Sequence, residues 1–264
     1  MSYREELDRI RAGLSEAAGI LRDFTPGAVE ASMKAGGHPV TEADTRINDR
    51  LLAVLPRAGE GWLSEESADD AERLSRKRVW VVDPLDGTKE FIAGIPEWSV
   101  SIGLVENGVP VAGGILNPVN DEWILGARGG EVLLGTDAVR ATKTADLAGA
   151  VVLASRSEMG RGEWDRFAGA PFTIRPMGSV AYKLALVAAG RVDATWTLVP
   201  KHEWDIAAGA ALVLAAGGTV VEKRGDPVVF NQPKPRVTGL IASGARLHGP
   251  IMEFLAAADA IPRT

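Results

Sequence analysis

Between Val79 and Thr88 the chain reads Val-Trp-Val-Val-Asp-Pro-Leu-Asp-Gly-Thr, an apolar strand that runs straight into a carboxylate-rich turn. Trp80, Val81 and Val82 favour a pleated, buried surface. Pro84 has no N–H to donate, so the ladder is expected to stop there. Asp83 and Asp86 then lie close together on a tight turn, where Gly87 permits close approach of the backbone to a ligand. Like charges held together resist joint ionisation, so the pair needs a counter-charge. A hard divalent cation ligated by oxygen supplies it, and the Thr88 hydroxyl points to something activated beside that metal.

The rest of the composition narrows the class. A chain of 264 residues can bury one large core or two modest ones, and 46% apolar with 24% charged residues argues against disorder. The net charge of −6 disfavours a nucleic-acid polymer or an anionic membrane as partner. It leaves room for a small anionic ligand, because bound metal reverses the local sign. Without cysteine there are no disulfides, zinc–thiolate sites or thiol nucleophiles, which fits an expected cytoplasmic location. From Ser2 to Phe24 charges alternate with Leu7, Ile10, Leu14, Ala17, Leu21 and Phe24 at helical spacing, the pattern of an amphipathic helix rather than a signal peptide. No apolar run approaches the roughly 20 residues needed to span a bilayer.

Along the chain, Gly36-Gly37-His38-Pro39 reads as a loop. Thr41 then N-caps a helix that Pro56 ends after Leu55, with Asp44 as its capping-box partner. A short strand at Trp62-Leu63 precedes Ser64-Glu65-Glu66-Ser67, and Thr88 to Ala93 reads as a short helix. Strand-like runs at Ser99–Val105, Val109–Leu116, Trp123–Ala127 and Val132-Leu133, punctuated by Asn107-Gly108 and Gly129-Gly130, predict an antiparallel meander. Beyond it, strand-like Val151–Ala154, helix-like Gly178–Ala189, strand-like Asp193–Leu198 and helix-like Ile206–Ala216 alternate as in an α/β layer. The expected division is therefore 1–143, α+β with an antiparallel sheet, and 144–264, α/β.

There is no GxxxxGK[ST] loop, GxGxxG fingerprint or HExxH helix, and His38, His202 and His248 are the only histidines. Carboxylates are the better candidates for chemistry, although each has an ordinary local reading. Asp44 can serve the capping box, Glu65-Glu66 a solvated loop, and Asp205 the N-cap of the almost wholly apolar helix after it. A plain β-turn explains Asp83 poorly, directly after four apolar residues.

Taken together, Pro39-Val-Thr-Glu-Ala-Asp44, Glu65-Glu66-Ser67, Asp83-Pro-Leu-Asp-Gly-Thr88 and Glu203-Trp-Asp-Ile-Ala-Ala-Gly209 resemble, in the same order and over nearly the whole chain, the inositol monophosphatase-like family of magnesium-dependent, lithium-sensitive phosphatases. The resemblance implies an α/β fold, a layered α-β-α-β-α sandwich with a mixed C-terminal sheet. It implies that Glu65, Asp83, the carbonyl of Leu85, Asp86 and Asp205 hold two or three Mg²⁺ ions, with Asp83 bridging two. Asp44 and Thr88 would be the catalytic pair that orients and deprotonates the attacking water. Gly87 and Thr88 would offer backbone N–H groups to the phosphate, Asp205 would also border the substrate, and Glu66 would support the site from behind. Hydrolysis of a small phosphate monoester by a monomer or homodimer follows.

For the ester itself, Thr88-Lys89-Glu90-Phe91, Ser155-Arg156-Ser157 and Gly178-Ser179-Val-Ala-Tyr-Lys183 resemble the bacterial 3'(2'),5'-bisphosphate nucleotidases, which convert adenosine 3',5'-bisphosphate to AMP. Those enzymes often carry His where this chain has Glu158. Lys89, Ser155, Arg156, Gly178, Ser179 and Lys183 are accordingly substrate candidates, Lys183 either reaching a second phosphate or lying exposed on its helix. Gly94 to Gly103 is closer to the inositol phosphatase branch. That branch, however, uses a glutamate on inositol hydroxyls where this chain has Thr195-Trp196-Thr197-Leu198. Adenosine 3',5'-bisphosphate is the expected substrate, with inositol 1-phosphate and histidinol phosphate as alternatives, and Lys201 and His202 are left open. A non-catalytic sensor of a metal–phosphate ligand is the reading from another class.

Overall fold

The computed structural model describes residues 3–34, 37 and 39–260. Gly36 and His38 of the expected loop lie outside these. In chain order the first half contains α1 (Arg4–Leu21), β1 (Ala31–Met33), β2 (Pro39–Thr41), α2 (Glu42–Val54), β3 (Gly61–Ser64), β4 (Arg78–Asp86), α3 (Thr88–Ala93), β5 (Ser99–Glu106), β6 (Val109–Asn117), β7 (Glu122–Ala127), β8 (Val132–Leu134) and β9 (Asp137–Val139). The second contains β10 (Val151–Ser155), α4 (Arg156–Gly160), β11 (Thr173–Met177), α5 (Val180–Ala188), β12 (Ala194–Trp196), β13 (Lys201–His202), α6 (Glu203–Ala215), β14 (Gly218–Glu222), β15 (Arg236–Val237), β16 (Leu240–Gly244) and α7 (His248–Ala260).

β3 to β9 form one seven-stranded sheet in sequence order, and a five-stranded sheet runs β11-β10-β12-β16-β14. The amphipathic α1 and α2 cover the outer face of the large sheet, α5 and α6 fill the space between the sheets, and α7 lies beyond the smaller one. The expected five-layer sandwich is therefore the fold. Strand β4 is buried on both faces, with Trp80 and Val82 packed under α1 and α2 and Val79 and Val81 in the central layer. The same alternation turns Asp83 toward α6.

Two details differ from expectation. The large sheet is not wholly antiparallel, because β3 pairs parallel to β4; the Glu65–Lys77 connection carries the chain back over the sheet instead of turning in a hairpin. Nor does the ladder end at Pro84. Register slips between Asp83 and Asp86, and pairing resumes at Asp86–Ser99. Pro84 and Leu85 form a bulge, which aims the two aspartates differently. As predicted, the smaller sheet is mixed, with β10 parallel to β11 and β12 and β16 antiparallel to β12 and β14.

The apolar body of α6, from Ile206 onward, is pressed onto glycines of β5 and β6. A Cβ on Gly113 would stand 2.4 Å from the Ala208 carbonyl oxygen, and one on Gly103 would stand 2.8 Å from the Ala208 nitrogen. Gly113→Ala must displace the helix that carries Asp205 in its first turn. It is expected to cost roughly 1–3 kcal/mol, as other overpacked cores do, measured by chemical denaturation.

Candidate active site

Two of the acidic residues are set in place by the same local device. Asp44 is the third residue of α2, and its Oδ2 accepts from the Thr41 backbone N–H at 2.8 Å and the Thr41 hydroxyl at 2.6 Å. Asp205 is the third residue of α6 rather than its N-cap, and its Oδ2 accepts from His202 N–H at 3.0 Å. Each thus completes a capping box with one carboxylate oxygen, leaving the other outside the cap. The capping role of Asp44 leaves its Oδ1 3.2 Å from the Thr88 hydroxyl. That hydroxyl is also 3.1 Å from the carbonyl oxygen of Leu85 and has one proton to place between them.

Glu65, at the end of β3, Asp83 on the bulge and Asp205 each bring a carboxylate oxygen to within 4.8 Å of the others. Asp83 is buried, and its Oδ1 accepts the Leu85 N–H at 3.0 Å. Asp86 stands slightly apart from this group: its Oδ2 accepts the Ser179 hydroxyl and the Ala181 N–H, each at 2.6 Å, which ties the turn to the start of α5. Burial, and then the charges of Glu65, Asp86 and Asp205, push Asp83 well above the usual carboxylate range. Burial also raises Asp86, and burial with the charges of Asp86 and Glu65 lifts Asp205 to about 8. Burial raises Asp44 too, against the pull of its bonds to Thr41 and Thr88. Such a set of converging oxygen donors, costly when charged and without a cation between them, has the chemistry of a hard divalent-metal site.

Gly87 begins α3 with φ +98°, and a Cβ there would meet the Glu97 carbonyl oxygen and Trp98 at 3.0 Å. Only glycine suits that turn. The cleft holds about 510 Å³, bordered by Gly87, Thr88 and Lys89 on one side and by Trp204, Lys201 and Arg236 on another.

Several expected residues are positioned differently from their sequence reading. Arg156 and Ser155 border the cleft, but the Arg156 guanidinium forms a fork with Glu97 at 2.6–3.0 Å, and Glu97 also accepts the Gly178 N–H at 2.8 Å. Lys183 is neither an exposed helix lysine nor a free cation. It is 1% exposed, and its ammonium donates to the carbonyls of Met177, Gly178 and Ser179 at 2.9–3.3 Å. Burial lowers it to about 8. Ser179, in the left-handed region at φ +47°, turns those carbonyls toward it. Glu66 follows Glu65, and both glutamates meet Lys34, which the sequence reading passed over. The Lys34 ammonium lies 2.7 Å from Glu65 and also bonds Glu66. Burial opposes its charge, but the two glutamates outweigh this and hold it above the usual lysine range. Only its place five residues before Pro39 could have pointed to it.

The inositol monophosphatase family model matches residues 4–258 of the chain. An inositol-1-monophosphatase of Mesorhizobium japonicum is 36% identical over 228 residues, covering 82% of this chain and 84% of the relative. Among solved structures, the Thermotoga maritima IMPase superposes with a TM-score of 0.85 at 26% identity over 97% of this chain and 98% of that one. The extragenic suppressor protein SuhB of Bartonella henselae gives 0.80 at 30% identity over 94% and 97%. The chain belongs to the inositol monophosphatase family, whose members are phosphoric monoester hydrolases. No helix among the described residues is long and apolar enough to cross a membrane.

Proposed function

We propose that this protein is a Mg²⁺-dependent phosphomonoesterase in which water attacks the phosphorus directly. The convergence of Glu65, Asp83 and Asp205 next to the Asp44–Thr88 pair carries this reading. Glu65, Asp83, Asp86, Asp205 and the Leu85 carbonyl would hold the metal, two or three ions in all, with Asp83 bridging. When bound, Mg²⁺ neutralises phosphate charge and lowers the pKa of the attacking water. Thr88 orients that water with its lone pairs and donates its own proton to Asp44. Asp44, made more basic by burial, is the better placed to accept that proton. The backbone N–H groups of Gly87 and Thr88 face the phosphate oxygens, and Lys89 adds positive charge at the rim. The division at 143/144 and a cytoplasmic location belong to the same proposal.

An inositol monophosphate is the substrate put first. The cations expected to hold a second phosphate are already engaged, Arg156 by Glu97 and Lys183 by carbonyls, and the M. japonicum relative carries the inositol-1-monophosphatase name. One observation favours a 3'(2'),5'-bisphosphate nucleotide instead: Arg236 and the stacked rings of His202 and Trp204, 4.4 Å apart, border the cleft, beside Lys201, which lies 3.4 Å from the Glu158 carboxylate. Charged rim and flat aromatic face would suit a second phosphate and a base. Phosphate release with Mg²⁺ from inositol 1-phosphate, adenosine 3',5'-bisphosphate and histidinol phosphate separates these readings. A rate for the bisphosphate nucleotide ten times that for the inositol ester would reverse the order; no release from any of them, with Mg²⁺ bound, would favour a non-catalytic sensor.

A further inference from the structure

Glu65 and Asp205 meet in the site although they arrive on separate parts of the chain, Glu65 at the start of the β3–β4 connection and Asp205 in the first turn of α6. A buried polar chain joins those two parts behind the site. Arg73, in the 3₁₀ turn Ala71–Ser75, is 2% exposed and forks onto Asp69 with bonds of 2.6 and 2.9 Å. Its remaining donors cross to the loop before β15, reaching the Asn231 side-chain oxygen at 2.7 Å and the Gln232 carbonyl at 3.0 Å. Asn231 answers with a bond from its amide nitrogen to the Arg73 carbonyl at 3.0 Å. The backbone N–H groups of Asn231 and Gln232 then donate to the two oxygens of Glu203, at 2.7 and 2.9 Å. Glu203 is fully buried and stands two residues before Asp205.

The loop between these anchors is itself fixed. Phe230 packs in the central core and its N–H donates to the Gly108 carbonyl at 3.0 Å, while Asn231 holds φ +59°. Beyond it, β15 pairs with β13 immediately before α6. The connection carrying Glu65 and the helix start carrying Asp205 are therefore both bonded to one loop. Apolar packing holds the body of α6, while the directional bonds to Glu203 fix its first turn, where Asp205 stands.

We infer that Arg73, Asn231 and Glu203 are positioning residues for the metal site, a brace that sets the separation of Glu65 from Asp205. This rests on the proposed metal site and concerns how tightly, rather than whether, the chain binds a divalent cation. Outer partners of ligating side chains commonly change metal affinity by roughly 10–100-fold when lost.

The test is Mn²⁺ binding to the full chain, followed by the EPR signal of the free ion, alongside thermal denaturation without metal. Arg73→Met is expected to weaken Mn²⁺ binding about tenfold, with Arg73→Lys between it and the parent protein. Asn231→Gly is the milder companion: glycine accepts the left-handed backbone and keeps the N–H bond to Glu203, removing only the side-chain link to Arg73. It is expected to weaken binding about threefold, and it serves alone should Arg73→Met not fold. Leu14→Ala, a core truncation beneath α1 and remote from the acidic group, supplies a destabilised control with parental Mn²⁺ affinity. Brace variants that lose thermal stability like Leu14→Ala yet bind Mn²⁺ like the parent would overturn the inference. A parent protein that binds no Mn²⁺ would instead overturn the metal reading beneath it.

Discussion

Asp83→Asn is expected to reduce phosphate release on the order of 10³-fold or more, the scale of losing a central catalytic group, while raising the thermal stability of the metal-free protein. The two effects have one cause. Asp83 is 1% exposed, faces Glu65, Asp86 and Asp205, and bonds no cation among the described residues; the ammonium of Lys34 is on Glu65 and Glu66. Its charge is thus a cost to folding that a bound cation repays in function. Asparagine is nearly the same size and keeps an oxygen to accept the Leu85 N–H, so the bulge can persist. It removes one negative charge from the group and replaces a charged candidate ligand with a neutral, weak one. Steady-state phosphate release and a melting curve without metal check both halves. An enzyme that keeps its parental Mg²⁺-dependent rate sinks the assignment of Asp83, and a fall in metal-free stability means that its charge is compensated within the chain.

Asp44 shows how far sequence reasoning carries and where it stops. Thr41-Glu-Ala-Asp44 is legible as a capping box because that device is local, four residues and two hydrogen bonds. The other carboxylate oxygen, with Thr88 at 3.2 Å, depends on the β4 bulge and appears in no local pattern. The buried α6 was legible from its composition, and the meander from its Asn-Gly and Gly-Gly turns. Strand β11 was not, since it is a largely exposed edge strand containing Pro176, without the alternation of a half-buried strand. The substrate residues suffered most. Nothing adjacent to Arg156 announces Glu97, and nothing adjacent to Lys183 says that the backbone at Ser179 turns three carbonyls inward. The same holds for Arg73 and Asn231, 158 positions apart and joined only by the fold. Motifs reveal which residues share a chemistry, but whether a cation is free to use is settled by distant partners.

Stabilisation by Mg²⁺ is expected to be large at pH 8 and small at pH 5. For the carboxylates raised in the folded chain, the proton is held more tightly folded than unfolded. The metal-free protein therefore loses stability as pH rises from the unfolded carboxylate range, near 4, through the raised folded values, which for Asp205 is about 8. Below that range the acids are neutral in both states and the penalty disappears. Metal requires the same groups deprotonated, so its affinity moves the other way, rising across the interval in which the apo protein weakens. At a concentration about 100 times the dissociation constant, binding adds about 2.7 kcal/mol. For a chain of this size that is an increase of roughly 5–10 °C in Tm. Melting curves at pH 5, 6.5 and 8, with Mg²⁺ and with chelator, measure the difference directly. An increment that is flat or larger at pH 5 would mean that the buried carboxylates are not the ligands. In Asp205→Asn a carboxyl raised to about 8 is removed, and the pH dependence should flatten above pH 7 while the metal-free melting temperature there rises.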